Sequence, residues 1–279
     1  MKRSHFPSHA YFRGGAFLPF AHRGGAARFP ENTHHAFAGA KALGYRHIET
    51  DVQLTADGEV AIFHDLTLER TTNGRGRVGD TRWEDMAALD AAHGFCPSGD
   101  GSTFPLRGCG IGPLRLVDAL DAFPDLFFNL EMKGNDDALA DTLFQLIQDR
   151  GVASRVLVAS ANDGLTARFR SIADGSVPTS AGQQAILQAV LWSRVGRLPK
   201  VPYDALQVPF RHGRLRVVDE RFVRAAHAAQ VAVHVWTIDE PTLIGHLHEL
   251  GVDGIMTDRP EVLRDTLASA APACFPSAR

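Results

Sequence analysis

The residues of this chain best suited to chemistry are three carboxylates, two histidines and two cations. Glu49 and Asp51 are separated by one residue in "HIETDV". On a strand, positions i and i+2 face the same side, so both carboxylates would enter one space. Glu131 closes another apolar run, "LFFNLEM". Three carboxylates facing one another repel and raise one another's pKa. A divalent cation removes that cost, and an all-oxygen donor set suits Mg²⁺, Ca²⁺ or Mn²⁺. Surface salt bridges are the competing reading of Glu49 and Asp51 alone. Glu131 and Lys133 on a second strand end favour the cation site.

His22 ends "LPFAH" and His64 ends "EVAIFH". Two histidines can divide acid and base work near neutral pH. Arg23 follows His22 and offers a planar fork that matches a phosphate. Gly24 and Gly25 next to it would let backbone N–H groups approach an oxyanion. "PENT" (30–33) then reads as a helix start capped by Asn32 or Thr33. Lys133 lies two residues from Glu131 and would point into the same mouth. Trp236 would wall the non-phosphate part of a substrate, with ordinary packing as the other reading. His234 reads as a barrel-interior residue.

These residues need strands whose ends share one face. Eight short β-rich runs are legible, at 18–22, 47–52, 126–132, 155–160, 176–180, 205–209, 231–237 and 253–257. Helix-like segments separate most of them, several opening on Asp, Asn or Thr. Eight such units predict an α/β TIM (β/α)8 barrel, whose sites lie at the C-terminal ends of the strands. An open doubly wound sheet is the structural alternative. "EVAIFH" (59–64) follows Asp57-Gly58, a hairpin signal, and is expected to run antiparallel to the second strand. Residues 66–115 are rich in Gly and Pro and too long for an ordinary connection. They read as a small insertion after the second strand, above one barrel face. One catalytic domain is expected, with its core at 18–268 and a disordered tail in "ASAAPACFPSAR".

The chain has 279 residues, 44% of them hydrophobic, enough for a large core. A net charge of −3 gives no basic field for nucleic acid. Three cysteines, Cys96, Cys109 and Cys274, make a poor disulfide framework. His93, Cys96 and Cys109 match no strong zinc spacing and lack a fourth ligand. Arg70, Arg75 and Arg77 read as a solvated cluster, close enough to His64 to touch substrate. The N-terminus does not read as a signal peptide, and no apolar run reaches about 18 residues. A cytoplasmic protein without an integral membrane segment is expected.

Taken in order, "AHRGGAARFPENTHHAF", "GYRHIETDVQLTADGEVAIFHDLTLERTTNGRG", "FFNLEMK", "VHVWTID" and "LGVDGIMTDRPEVL" resemble the glycerophosphodiester phosphodiesterase family, over about residues 18–265. The resemblance implies a TIM barrel with an insertion after strand two. It implies hydrolysis of a small-molecule glycerophosphodiester to glycerol 3-phosphate and an alcohol. It further implies a divalent metal at Glu49, Asp51 and Glu131, acid–base histidines at His22 and His64, and phosphate contacts from Arg23 and Lys133. Where the family often has Pro-Thr-Leu-x-Glu, this chain has "IGPLRLVDAL", without the Glu. The Cys-containing stretch "FCPSGDGSTFPLRGCG" is also unlike the family. A lysophospholipase-D-like barrel and a non-catalytic phosphate-binding barrel are the alternative functions. The former would want an apolar rim that the insertion scarcely provides, and the latter a missing carboxylate or histidine.

Overall fold

The structure is a computed structural model describing residues 7–12 and 17–268; the tail beyond 268, with Cys274, lies outside the described residues. In chain order the elements are β1 (Leu18–His22), α1 (His34–Ala42), β2 (His47–Leu54), β3 (Val60–Ile62), α2 (Trp83–Ala87), β4 (Leu114–Arg115) and α3 (Leu116–Ala122). There follow β5 (Phe127–Met132), α4 (Asp137–Asp149), β6 (Val156–Ala159), α5 (Asp163–Ala173), α6 (Gln183–Ser193) and β7 (Ala205–Pro209). The last are β8 (Arg211–His212), β9 (Leu215–Arg216), α7 (Glu220–Ala228), β10 (Ala232–Trp236), α8 (Pro241–Leu250), β11 (Gly254–Thr257) and α9 (Pro260–Ala268).

Seven parallel strands run in the spatial order β7, β10, β11, β1, β2, β5, β6. The expected strand at 176–180 is reduced to two single bridges, Val158 to Thr179 and Ser180 to Ala205. The cause is local. Pro178 has no N–H to donate, and Ser176 N–H turns back to Ala173 O. Thr179 and Ser180 make the bridges, flanked by Val158 N–H to Pro178 O and Ala181 N–H to Ala205 O, and they join β6 to β7 around the ring. The α/β TIM-barrel arrangement therefore holds, with one of its eight positions nearly reduced to a link. As expected, β3 pairs antiparallel with β2; β4 adds a third antiparallel strand beyond it.

Strand alternation sorts the side chains. Leu18, Phe20, Leu157, Ala159, Ala205, Ala232 and Met256 turn inward and pack with Tyr11 and Phe12. A larger shell, including Phe37, Ile48, Phe128, Val158, Phe169, Val233 and Ile255, packs the strands against the helices. Each fully buried Leu, Ile, Val or Phe contributes about 1.5–3 kcal/mol relative to leaving it exposed. Leu68, Val78 and Met86 of the insertion form a small third core with Phe63 and with Ala61 of β3. Side-chain caps start several helices: Thr33 Oγ1 accepts from Ala36 N–H, Asp136 from Ala138, Asn162 from Gly164 and Asp219 from Phe222. Arg115, at the start of α3 where the family Glu is absent, makes no side-chain cap bond. No described helix is long and apolar enough to cross a membrane.

Candidate active site

Register brings the charged residues together. His22 of β1 stands opposite Glu49 of β2, and Asp51 stands opposite Glu131 of β5. One carboxylate oxygen from each of Glu49, Asp51 and Glu131 lies within 4.8 Å of the others. Glu49 and Asp51 are buried, Glu131 less so. The carboxylate cluster expected from i and i+2 spacing is thus formed.

Lys133 reaches the same point, with Nζ 3.0 Å from Asp51 Oδ1 and 3.1 Å from Glu131 Oε2. Arg23 Nε lies 3.3 Å from Asp51 Oδ2, and Asn32 Nδ2 donates to that oxygen at 3.0 Å. Burial opposes the charge on Asp51, but Lys133, Arg23 and His64 outweigh it and hold its pKa low. Glu49 is covered less well: His22 and Arg23 oppose the upward shift without cancelling it. Burial and the Asp51 charge push its pKa well up, and its Oε2 is buried without a hydrogen-bond partner. An all-oxygen pocket with an orphaned carboxylate oxygen and mutual repulsion is what a hard divalent cation satisfies, so the residues present fit such an ion.

Each histidine is fixed through Nδ1. His22 Nδ1 donates to Asp258 Oδ1 at 2.6 Å, while Nε2 lies 3.6 Å from Glu49 Oε2. Burial opposes charge on His22, yet the Glu49 charge and the Asp258 hydrogen bond outweigh it and raise its pKa. His64 Nδ1 donates to Asp65 Oδ1 at 2.6 Å. In both rings an acidic partner sets the tautomer and leaves Nε2 for other work.

Arg23 adopts a left-handed backbone, φ 52°, and so does Asn32, φ 60°. Such a φ is uncommon outside glycine and is held here by the surroundings. Arg23 N–H donates to Glu49 O at 2.7 Å, and Asn32 N–H donates to Arg23 O at 2.9 Å. Arg23 Nη1 also donates to Glu31 at 3.0 Å, while its buried Nε makes no hydrogen bond. Asp51 Oδ2, at 3.3 Å, is the acidic atom paired with it.

The glycines differ from expectation. Gly24 and Gly25 N–H groups are spent on Ala21 O and His22 O. Their φ values are +85° and +100°, and a Cβ would lie 2.7 Å from Ala36 Cβ or from Pro260 Cγ. They serve close packing of the turn rather than oxyanion contact. Of the two cap candidates, Thr33 caps α1, and Asn32 instead braces Asp51 and accepts from Thr50 Oγ1 at 2.7 Å.

Trp236 stands at the end of β10 and is 42% exposed, so it is a rim residue rather than a packed one. The next peptide bond, Trp236–Thr237, is cis. His234 is fully buried inside the barrel beside Gln207, as its spacing indicated. Four residues gain parts that sequence reasoning did not give them: Asp258, Asp65, Glu31 and Asn32. Arg70 joins them by donating to both Glu31 and Asp65. Adjacency of Asp65 to His64 was the one local signal.

Residues 22–262 match the Glycerophosphoryl diester phosphodiesterase family. The chain belongs to that family. A Mycobacterium tuberculosis protein named "Probable glycerophosphodiester phosphodiesterase 2" is 33% identical over 94% of both chains. The glycerophosphodiester phosphodiesterase of Bacillus altitudinis is 33% identical, over 87% of this chain and 94% of its own. Among solved structures, an Oleispira antarctica phosphodiesterase in complex with the product sn-glycerol-3-phosphate has 20% identity and a TM-score of 0.71, over 90% of this chain and 96% of that one. The matched span begins at His22 and includes every residue of the site described above.

Proposed function

We propose that this member of the family hydrolyses glycerophosphodiesters to glycerol 3-phosphate and an alcohol, with a divalent cation held by Glu49, Asp51 and Glu131. The observation that carries the reading is the meeting of those three carboxylates with His22, Arg23 and Lys133 at the C-terminal ends of three adjacent strands. The product named in the Oleispira structure agrees with it.

The metal, when bound, supplies Lewis-acid charge at the phosphate and a template for the substrate. The protein's own groups do the rest. Arg23 Nε and Lys133 Nζ stabilise negative charge that grows on the phosphoryl oxygens. One histidine takes the proton of the attacking oxygen at Nε2, and the other gives a proton to the departing alkoxide. Asp258 and Asp65 hold the two rings in the tautomer that work requires. The P–O bond to the alcohol breaks as the new P–O bond forms. The attacking oxygen belongs to water, or to the neighbouring glycerol hydroxyl, which closes a cyclic glycerol phosphate that water must then open to glycerol 3-phosphate; detection of that cyclic diester decides between them.

The test is a panel of glycerophosphodiesters assayed for both products with Mg²⁺, Ca²⁺ and Mn²⁺ after chelation. Release of glycerol 3-phosphate and alcohol that stops in chelator and returns with one of these ions is the expected result. Turnover undiminished in excess chelator overturns the metal role, and no turnover with any metal or diester overturns the activity.

A further inference from the structure

The outer face of α6 is unlike that of the other barrel helices. Its sequence, "QQAILQAVLWS", carries no charge. By contrast, α4 presents Asp141 and Asp149 and α7 presents Glu220 and Arg224. Leu187 is 58% exposed, Leu191 62%, Trp192 43%, and Val195 just past the helix end 67%. Positions 187, 191 and 195 repeat every four residues, so they form one stripe with Trp192 along its edge. A stripe of large exposed apolar side chains marks an interaction surface rather than scattered exposure.

Its surroundings are basic. From Gly175 to Val218 the chain has six Lys or Arg residues, Arg194, Arg197, Lys200, Arg211, Arg214 and Arg216, against a single carboxylate, Asp204. Arg194 Nη2 donates to Arg216 O at 2.9 Å, which sets the exposed β8–β9 hairpin beside the end of α6. Arg194 is also ion-paired with Asp219. Among the described residues no carboxylate lies within 4.0 Å of Arg197, Lys200, Arg211 or Arg214. The hairpin adds Leu215, 48% exposed. This concentration of positive charge stands out in a chain whose net charge is −3.

We propose that this surface docks the protein on an anionic phospholipid bilayer. Leu187, Leu191, Trp192 and Val195 enter the headgroup region, and Arg197, Lys200, Arg211 and Arg214 meet lipid phosphates. An apolar stripe with a tryptophan and flanking cations fits such an interface. A two-fold contact with a second copy would bring two copies of this basic surface together, at a cost in like-charge repulsion. A bilayer with negative headgroups carries no such cost. The proposal does not depend on the catalytic reading, because its readout is binding.

The test is co-sedimentation of the full chain with phosphatidylcholine vesicles, with and without about 30% phosphatidylglycerol. At least tenfold stronger binding to the anionic vesicles is expected, falling as NaCl rises to about 0.5 M. Leu187→Gln/Leu191→Gln and, separately, Arg197→Glu/Lys200→Glu should each reduce that binding about tenfold with an unchanged melting curve. Equal binding to both vesicles, or wild-type binding by either double variant, overturns the proposal. So does a concentration-dependent dimer that Leu191→Gln dissociates in a protein that ignores vesicles; the second copy would then be the occupant. If a variant fails to fold, the wild-type dependence on lipid charge and salt decides alone.

Discussion

The guanidinium of Arg70, in the insertion, closes on the Glu31 carboxylate with Nη1–Oε2 2.8 Å and Nη2–Oε1 2.7 Å. The same guanidinium holds Asp65, and Asp65 holds His64. Glu31 in turn holds Arg23. One side chain therefore ties His64 and Arg23 into a single frame.

That frame predicts a positioning role for Arg70. Arg70→Ala should lower kcat/KM roughly tenfold or more, and Arg70→Lys should recover little, because a lysine cannot keep a bidentate fork. The melting temperature should move only slightly, since half-exposed ion pairs contribute about 0–1 kcal/mol. Steady-state kinetics beside a thermal melt separate the two. Unchanged kcat/KM in Arg70→Ala would show that the frame does not govern the reaction.

Two histidines sharing acid and base work should give a bell-shaped dependence of kcat/KM on pH, and His22→Ala or His64→Ala should each cost about 10²-fold or more. Asp258 raises the pKa of His22 through its charge and hydrogen bond. Removing that charge in Asp258→Asn lowers it, so one limb of the bell shifts to lower pH. Movement of the acidic limb assigns His22 as the base, and movement of the basic limb assigns it as the acid. Two unmoved limbs would take His22 out of proton transfer.

His234 predicts a stability change in a separate pH window. Burial depresses its pKa to about 4. The unfolded chain takes up the proton near the ordinary value of about 6.5, and the folded chain does so only near 4. The unfolded state therefore binds more protons between those values, and stability falls as pH drops from about 6.5 to about 4, by up to about 3 kcal/mol. Above 6.5 this contribution is fully present. Denaturant melts at pH 7, 5.5 and 4.5, compared with His234→Gln, report it; an identical pH slope in the variant would refute the assignment.

Leaving-group preference should be broad. Trp236 is a half-exposed rim residue that could offer its ring face to a choline ammonium. The insertion is Gly-rich and largely exposed between residues 97 and 110. Small contact differences of about 1–3 kcal/mol do not build strong discrimination. Values of kcat/KM for the choline, ethanolamine and glycerol diesters should fall within about two hundredfold under one metal condition. A thousandfold preference would reveal a dedicated pocket.

The site was legible wherever a strand fixes geometry. Glu49 and Asp51 share a face because strand side chains alternate, and the run ending at Glu131 is the next strand in the ring. His22 and His64 were legible because each closes an apolar run. The partners were not. Asp258 lies 236 positions from His22, and only ring closure through β1 and β11 makes them neighbours. Gly24 and Gly25 suggested N–H groups open to an oxyanion, and nothing local signalled the close approach of Ala36 and Pro260. Likewise "SVPTS" had the composition of a strand, and its single proline took the ladder away.

Those two bridges at Thr179 and Ser180 give the barrel a seam. The ring is laddered over four residues where β5 meets β6 and over five where β7 meets β10, but the seam has one bridge on each side. Thermal breathing should begin there, and amide hydrogens near Thr179 and Ser180 should exchange before those of the ladders. Counting round the eight positions, the seam lies diametrically across from β1, which carries His22. Breathing there would part β6 from β7 while β2 and β5, joined in register over six residues, keep the carboxylates together. The weakest part of the hoop is thereby as far as the circle allows from the strand that bears His22.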